Sequence, residues 1–330
     1  MTISPAALAL LCSRVTWEER WLELEAVGAV SLPGYAGSTL RGALGMVMRP
    51  ALCALAGQCG EQCGSPETCP FFSLFEQSRA GGGQGPNIPK PLILESPLGE
   101  GLRTLALGGA AAPMGMELPE MEARDRVALK PGTPVVVGLR ALGAAGAALD
   151  GIVEGVRRSG GLEVKGGRLR LVGVEARKSG LREAMGDAAA EVGRVRLGLV
   201  TPTLIGGAGG RTCFDPVALG RVVASQALIR TVSLYNAFFR RPQEDKIPFV
   251  TPEWPGVAMT AYRLFRYRLP RHSYRQGKWM DFDGVVGWME WEGPGVGAMV
   301  PWLRAAEALH VGQKATFGLG RVELVEPGRR

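Results

Sequence analysis

The chain has 330 residues, of which 46% are apolar and 21% are charged. This composition indicates a globular protein with room for two domains, and it excludes a disordered chain. No apolar run reaches the roughly 18 uncharged residues that a membrane span needs. The first residues lack the basic segment of a signal peptide, so we expect a cytoplasmic protein. The six cysteines of a protein in a reducing compartment do not predict a disulfide framework.

The net charge of +7 is concentrated in the C-terminal part of the chain. Residues 194–330 contain 19 Lys/Arg and 11 Asp/Glu. Residues 1–193 contain 19 Lys/Arg and 20 Asp/Glu. No acid occurs between Glu253 and Asp281, where Arg and Lys alternate with Tyr, Phe and Trp. Such a run is either a solvated basic face or an RNA-binding surface. The interleaved rings favour RNA, because cations pair with phosphates and rings stack on bases.

The first half of the chain predicts a strand–helix–strand–strand–helix–strand order. Residues 15–30 alternate apolar and polar side chains, which is typical of a strand. A helix follows, with Ser38 as its N-cap and Pro50 as its end. A cysteine-rich insertion occupies about residues 50–90. The remaining predicted elements are strands near 90–96 and at 133–142, a helix at 144–161 and a strand at 167–178.

The second half repeats this order. Residues 194–205 predict a strand, and the next helix has Asp215 as its N-cap and Pro216 as its first residue. The remaining predicted elements are hairpin strands at 260–269 and 281–292, a helix at 298–310 and a strand at 316–325. The sequence therefore predicts an α+β fold of two tandem ferredoxin-like units, the architecture also used by the RNA-recognition motif. We place the two domains at residues 1–185 and 186–330.

Four clustered cysteines predict a structural metal site in the insertion. Their spacing is C-x5-C-x3-C-x5-C, and the cysteines are Cys53, Cys59, Cys63 and Cys69. Four thiolates interleaved with glycines can surround one tetrahedral ion, and zinc is the expected one. An iron–sulfur cluster and free thiols are the alternatives. A zinc ion with four thiolate ligands has no position left for water, so its role would be structural.

The segment "HVGQKATFGLGRVEL", residues 310–324, predicts a phosphate-binding loop before the last strand. Gly312, Gly318 and Gly320 let the backbone enter left-handed conformations and approach a phosphate closely. Consecutive N–H groups in such a turn bind anions, and Lys314 adds a charge. The alternative is a tight turn between helix and strand, which needs only one or two glycines. A nucleotide-binding P-loop is excluded because the G-K-[ST] ending is absent.

Three segments in this order resemble the RAMP superfamily of CRISPR-associated RNA-binding proteins. They are "GYAGSTLRGALG" at 34–45, "RHSYRQGKWMDFDGVVG" at 271–287 and the glycine-rich segment above. The closer resemblance is to the endoribonucleases that cut precursor CRISPR RNA within each repeat. The family's loop reads G-x-G, five residues with at least one basic, and G-x-G. In this chain His310 stands where the first of those glycines is expected.

The resemblance implies metal-independent cleavage in which a ribose 2′-OH attacks the adjacent phosphate and leaves a 2′,3′-cyclic phosphate. That reaction needs a base, an acid and a cation, and histidine suits both proton transfers. Many family members carry this histidine on the first helix, but the histidines of this chain are His272 and His310. We expect His310, at a helix end beside the loop, as the general acid and His272, between arginines, as the base. Tyr35 is the third catalytic candidate. We expect no catalytic metal, because the sequence offers no open carboxylate or histidine cluster.

The resemblance also implies contacts with CRISPR repeat RNA and leaves room for other CRISPR effector subunits as partners. The expected RNA-binding residues are Arg41, Arg271, Arg275, Lys278, Gly312, Lys314, Gly318, Gly320 and Arg321. The alternative function is a non-catalytic RAMP subunit that holds guide RNA, which the missing N-terminal histidine favours. The two complete units and the basic, aromatic hairpin favour the endoribonuclease. A zinc-stabilised DNA-binding protein is disfavoured, because nothing resembles a major-groove recognition helix.

Overall fold

The computed structural model describes residues 3–53, 69–76, 89–98, 100–112, 118–122, 126–187, 191–206, 212–273 and 278–325. The helices are α1 (Pro5–Arg14), α2 (Gly37–Leu52), α3 (Glu100–Leu107), α4 (Leu149–Arg158), α5 (Leu181–Met185), α6 (Pro216–Phe238) and α7 (Val296–Leu309). The strands are β1 (Thr16–Val27), β2 (Val30–Pro33), β3 (Leu92–Glu95), β4 (Glu120–Glu122), β5 (Arg126–Leu129), β6 (Pro134–Leu142), β7 (Leu162–Val164), β8 (Gly167–Gly180), β9 (Arg194–Thr203), β10 (Ala258–Arg268), β11 (Pro270–Ser273), β12 (Lys278–Asp281), β13 (Gly284–Glu292) and β14 (Val322–Val325).

The N-terminal unit is an antiparallel sheet in the order β3-β6-β1-β8-β7. Its succession β1, α2, β3, β6, α4, β8 is the predicted ferredoxin-like order, with β7 as an extra edge strand. Alternation along β1 buries Leu22 and Leu24, which join Leu40 and Leu44 of α2 and Ile152 of α4 in one core. The helices therefore cover one face of the sheet, and the first ferredoxin-like unit is confirmed.

The C-terminal unit repeats this arrangement with the sheet order β14-β9-β13-β10-β4. Asp215 Oδ1 accepts a hydrogen bond from the Ala218 amide at 2.6 Å, and Pro216 is the first residue of α6, as predicted. The 23-residue α6 is long and apolar enough to span a membrane by composition, but its buried residues pack in the core with α7. The second ferredoxin-like unit is thus confirmed as well.

A crossing segment formed by α3 and β4 lies between β3 and β6 in sequence but packs on the C-terminal sheet. β4 pairs in parallel with β10 through Arg266, Tyr267 and Arg268. The carbonyl of Gly108, just after α3, accepts hydrogen bonds from Arg263 Nη1 at 2.9 Å and Trp288 Nε1 at 3.0 Å. The N-terminal half of the chain therefore completes the sheet of the C-terminal half. The domain boundary between residues 185 and 186 stays a prediction.

Both predicted ends of α2 are wrong. The N-cap is Ala36 rather than Ser38, and no side chain caps the helix. The helix begins two residues earlier than a Ser38 cap predicts. A Cβ at its first residue, Gly37, would lie 2.1 Å from the Phe317 carbonyl oxygen, so only glycine lets the two segments meet. Pro50 lies inside the helix, which continues to Leu52. A proline in the last turn removes a single helical hydrogen bond, too little to end the helix before it.

The last predicted strand is shorter than expected, and three helices escaped prediction. Residues 316–321 are not a strand, because Ala315–Phe317 form a 3₁₀ turn and left-handed glycines follow, so that β14 begins at Val322. The unpredicted helices are α1, which is capped by Ser4, α3 in the crossing segment, and the short α5.

Candidate functional site

A third buried cluster lies where the two units meet, and we term it the junction core. It joins the segment before α2, the crossing segment, the hairpin β10–β13 and the glycine-rich loop. Its buried members are Tyr35, Leu102, Leu204, Tyr267, Leu269, Phe282, Val286, Phe317 and Leu319. Every segment that the sequence singled out for RNA contacts therefore touches this junction or leads away from it.

The glycine-rich loop, residues 310–321, folds through a series of left-handed residues. The φ angles are 73° at Gly312, 77° at Gly318 and 73° at Gly320, and His310 and Lys314 are also left-handed at 59° and 64°. A Cβ at Gly320 would lie 1.8 Å from the Val311 carbonyl oxygen. The glycines are therefore needed for the fold of the loop itself, whatever the loop binds.

The glycine-rich loop also docks on the N-terminal unit. The Tyr35 hydroxyl donates a hydrogen bond to the Phe317 carbonyl, and a Cβ at Gly318 would lie 3.0 Å from the Leu94 carbonyl oxygen. Residues 315–320 are buried, whereas Gln313 and Lys314 are exposed. The loop thus presents Lys314 at its exposed edge. RNA contacts by Gly312, Gly318 and Gly320 stay a prediction.

Arg41 of α2 is stacked between two aromatic rings. Its guanidinium carbon lies 4.1 Å from the centroid of Phe75 and 4.1 Å from that of Phe317. Arg41 Nη2 donates to the Phe75 carbonyl at 3.0 Å, and Lys90 Nζ donates to the same oxygen at 2.7 Å. Stacking and hydrogen bonding together fix the guanidinium plane, since each restrains a different direction.

Lys314 reaches the same group of rings from the C-terminal unit. Its Nζ atom lies 5.7 Å from the centroid of Phe282. Phe282 meets Phe317 edge to face, with centroids 5.0 Å apart. We use the name cation–ring cluster for the three rings Phe75, Phe317 and Phe282 together with Arg41, Lys90 and Lys314. The three rings are buried, so this cluster offers RNA its positive charge, held in place by the rings beneath it.

His310 is buried, with 0% of its surface exposed. Its Nδ1 lies 3.0 Å from the Leu319 carbonyl oxygen and its Nε2 lies 3.1 Å from Glu95 Oε1. Glu95 also pairs with Arg140 at 3.0 Å and with Arg321 at 3.3 Å. Burial alone would raise the pKa of Glu95, but the interactions with His310, Arg140 and Arg321 outweigh it and hold that pKa far below its ordinary value.

These surroundings weigh against two of the three catalytic candidates. Both ring nitrogens of His310 are engaged inside the protein, so a proton transfer to RNA would require the loop to open. Tyr35 is 1% exposed, and burial raises its pKa well above the ordinary value, which suits a hydrogen-bond donor rather than a base. Arg321, expected to bind RNA, is paired with Glu95 and with Glu323 at 3.6 Å. All three assignments stay predictions.

The third candidate, His272, lies on the ribbon formed by β11 and β12. His272 is opposite Trp279 in this ribbon. The ribbon leaves the junction core at Leu269 and Phe282, and Asp283 Oδ1 accepts a hydrogen bond from the Leu269 amide at 3.3 Å. The expected ribbon cations are Arg271, Arg275 and Lys278. The backbone alone is described at residues 271 and 278, and Arg275 lies outside the described residues.

The predicted zinc site falls largely outside the described residues. Cys53 and Cys69 are both buried in the core of the N-terminal unit. Cys59 and Cys63 lie in residues 54–68, which the structure does not describe. Among the residues that it does describe, no group of three or more His, Cys, Asp or Glu side chains could hold a metal ion. Zinc at the four cysteines stays a prediction.

Sequence reasoning missed the residues that hold the cluster together. Phe317 stands within the quoted glycine-rich segment, but nothing in a glycine pattern shows that its ring stacks on an arginine of the other unit. Glu95 closes an apolar strand, and an acid directly after Leu92–Leu94 was the available signal for a buried ion pair. Phe75 and Lys90 carried no signal, because they meet Arg41 only in the folded chain.

Comparisons with known proteins agree with the two-unit division. Residues 15–192 match the family AF_1859_N, an N-terminal domain, and residues 197–322 match CRISPR-associated endoribonuclease Cas6. A Thermus thermophilus Cas6 product complex is similar at 16% identity and a TM-score of 0.52, covering 94% of this chain and 99% of that one. A partial Cas6-RT-Cas1–Cas2 complex is similar at 11% identity and a TM-score of 0.52. This likeness covers 97% of this chain and 48% of that one. Likenesses at such identities show a shared fold. No curated protein matches the chain.

Proposed function

We propose that the chain is an endoribonuclease of CRISPR RNA processing, because residues 197–322 match CRISPR-associated endoribonuclease Cas6 and residues 15–192 match the N-terminal domain AF_1859_N. We further propose how it cuts. Repeat RNA crosses the junction core, and a ribose 2′-OH attacks the adjacent phosphate there without a metal ion. The bond from phosphorus to the 5′ oxygen breaks, which leaves a 2′,3′-cyclic phosphate on one fragment and a 5′-OH on the other. The observation that carries this proposal is the cation–ring cluster, in which Arg41 of one unit and Lys314 of the other contact one run of packed rings.

The cluster supplies what the transition state needs most. As the 2′-oxygen attacks, negative charge grows on the non-bridging phosphate oxygens, and a fixed cation stabilises that charge more than it stabilises the ground state. A guanidinium presents paired N–H donors that fit two phosphate oxygens, whereas an ammonium acts as a point charge. We assign the first role to Arg41 and the second to Lys314.

His272 is assigned as the general base that takes the proton of the 2′-OH, and the departing 5′ oxygen takes its proton from solvent. His272 lies three residues beyond Leu269 of the junction core, on the order of 10 Å along the ribbon at about 3.3 Å per residue. His310, by contrast, is enclosed with Glu95. His272→Ala is expected to slow single-turnover cleavage about 10²–10⁴-fold. His310→Ala is expected to act mainly through lower stability, seen as a lower melting temperature.

The RNA is held along the ribbon as well as at the junction. The ribbon cations contact phosphates of the repeat. One structural neighbour is titled as a complex of Cas6, reverse transcriptase, Cas1 and Cas2. We extend the proposal to assembly with other CRISPR proteins, which that neighbour supports by analogy of fold.

Cleavage of a repeat RNA transcribed from the array of the source organism tests the proposal. Wild-type protein is expected to cut in EDTA, to fail on RNA with a 2′-deoxyribose before the scissile phosphate, and to leave an end that resists phosphatase until acid opens the ring. Arg41→Ala is expected to slow cleavage about 10²–10³-fold, whereas the exposed Arg158→Ala on α4 serves as the control. Tight binding without any cutting, or rescue only by added metal, would contradict the mechanism.

A further inference from the structure

A residue within the predicted cysteine-rich insertion contributes a ring to the cation–ring cluster. Phe75 lies in a π-helical turn, Phe72–Glu76, shortly after Cys69. Its side chain is 3% exposed and stacks on Phe71 with centroids 5.6 Å apart. An insertion that the sequence assigned to metal binding therefore reaches the site assigned to RNA.

Phe75 is fixed on α2 from two directions. Its ring lies where a Cβ at Gly45 would come within 2.7 Å, so the missing side chain of Gly45 makes the space for it. Its carbonyl oxygen accepts hydrogen bonds from Arg41 Nη2 at 3.0 Å and from Lys90 Nζ at 2.7 Å. Because both ring and carbonyl are held, Phe75 has a defined position relative to Arg41.

That position determines the orientation of Arg41. An arginine side chain has many rotamers, and an unstacked one would lose conformational entropy on meeting a phosphate. The rings of Phe75 and Phe317 each lie 4.1 Å from its guanidinium carbon. Stacking uses the faces of the guanidinium, while its five N–H donors point along the edges. The two rings therefore order the group without competing for its donors.

We propose that Phe75 is a positioning residue for RNA cleavage, which together with Phe317 holds Arg41 in the orientation that meets the scissile phosphate. This inference rests on the proposed function and deepens it, since it gives the insertion a part in catalysis. Phe75 acts on the transition state through Arg41. Its loss should therefore lower kcat and leave KM within a few-fold, because uniform binding is untouched.

A double-mutant cycle tests this coupling. Single-turnover cleavage rates and RNA affinities are measured for wild type, Phe75→Leu, Arg41→Ala and the double variant. We expect Phe75→Leu to slow cleavage at least about 10-fold with affinity within about threefold, and to add less than about twofold when Arg41 is already absent. Phe75→Tyr, which keeps the ring, is expected to cleave at close to the wild-type rate.

The outcomes separate this inference from the proposed function. A slow Arg41→Ala with a fully active Phe75→Leu overturns the positioning role and leaves the proposed function standing. Equal slowing by Phe75→Leu with and without Arg41 also overturns the positioning role, because Phe75 then does not act through Arg41. A fully active Arg41→Ala contradicts the proposed function itself. Melting temperatures are recorded for each variant, and Phe75→Met replaces Phe75→Leu in the cycle if the leucine variant does not fold.

Discussion

Glu95→Gln should measurably destabilise the protein, because it keeps the shape of a buried side chain while removing its charge. The carboxylate is 5% exposed and pairs with His310, Arg140 and Arg321 across the two units. Removing one partner of a buried ion pair costs about 3–5 kcal/mol. Arg140 keeps its contact with Glu19 at 2.6 Å, which favours the lower end of that range.

Thermal unfolding monitored by calorimetry at pH 7 is the assay. An unfolding entropy of about 2.1 cal/mol/K per residue converts 3–5 kcal/mol into a fall in Tm of about 4–7 °C for a chain of this length. Glu23→Gln is the matched control, since Glu23 is exposed on β1 of the same sheet. A surface substitution of that kind is expected to change stability by less than about 0.5 kcal/mol.

The pH dependence of stability is a second test of the role of Glu95. The pKa of Glu95 is lowered in the folded protein, so its stabilisation is fully present at neutral pH and is lost as the pH falls from the unfolded value towards the folded one. The difference in the free energy of unfolding between wild type and Glu95→Gln should therefore narrow by about 1.4 kcal/mol per pH unit below about pH 4.3. Equal melting temperatures at pH 7, or a gap that does not change down to about pH 3, would refute the reasoning.

Replacing all three ribbon cations with alanine should weaken binding of repeat RNA and flatten the plot of log K against log salt by about 2–3, since each phosphate contact contributes about 0.7–0.9; an unchanged slope would show that the ribbon does not contact phosphates. Protein purified without chelators should carry about one zinc per chain by elemental analysis. Cys63→Ser should release it and Cys213→Ser should not, and metal-free wild-type protein would rule the site out. Gly320→Ala should destabilise the fold by about 1–3 kcal/mol from backbone strain, because φ is 73° there. Gly42→Ala on α2, with nothing within 4 Å of its new Cβ, should be neutral or stabilising by up to about 1 kcal/mol, and equal effects in thermal melts of the two variants would contradict this.

Sequence patterns predicted the elements that depend on local chemistry. Alternation in β1 and the Asp215–Pro216 start of α6 are each decided by neighbouring residues, and both were found where expected. The start of α2 was not: the helix begins at Gly37, which packs closely on the Phe317 carbonyl, 280 residues away in the chain, and no side chain caps it. Elements set by distant contacts leave no local pattern.

The segments that form the candidate site could be predicted from the sequence, but the contacts between their residues could not. The glycine-rich loop and Arg41 do meet, yet the sequence assigned the glycines to phosphate and the structure shows them supporting the loop's own turns and its docking. His310 looked available because it ends a helix beside that loop. Its partner Glu95 lies on β3, and a buried histidine–carboxylate pair between two units cannot be inferred from the spacing within either one.

The crossing segment has a consequence for how this protein can be taken apart. A fragment that starts near residue 186 would lack β4 and leave the edge of β10 unpaired, and it would also lose the α3 turn whose Gly108 carbonyl binds Arg263 and Trp288. Unpaired strand edges recruit other chains, so such a fragment should aggregate rather than fold alone. Separate expression of the halves, or exchange of one half between relatives, would have to move residues 100–122 together with the C-terminal unit. A recombination event that exchanged only one of the two units would therefore break the C-terminal sheet.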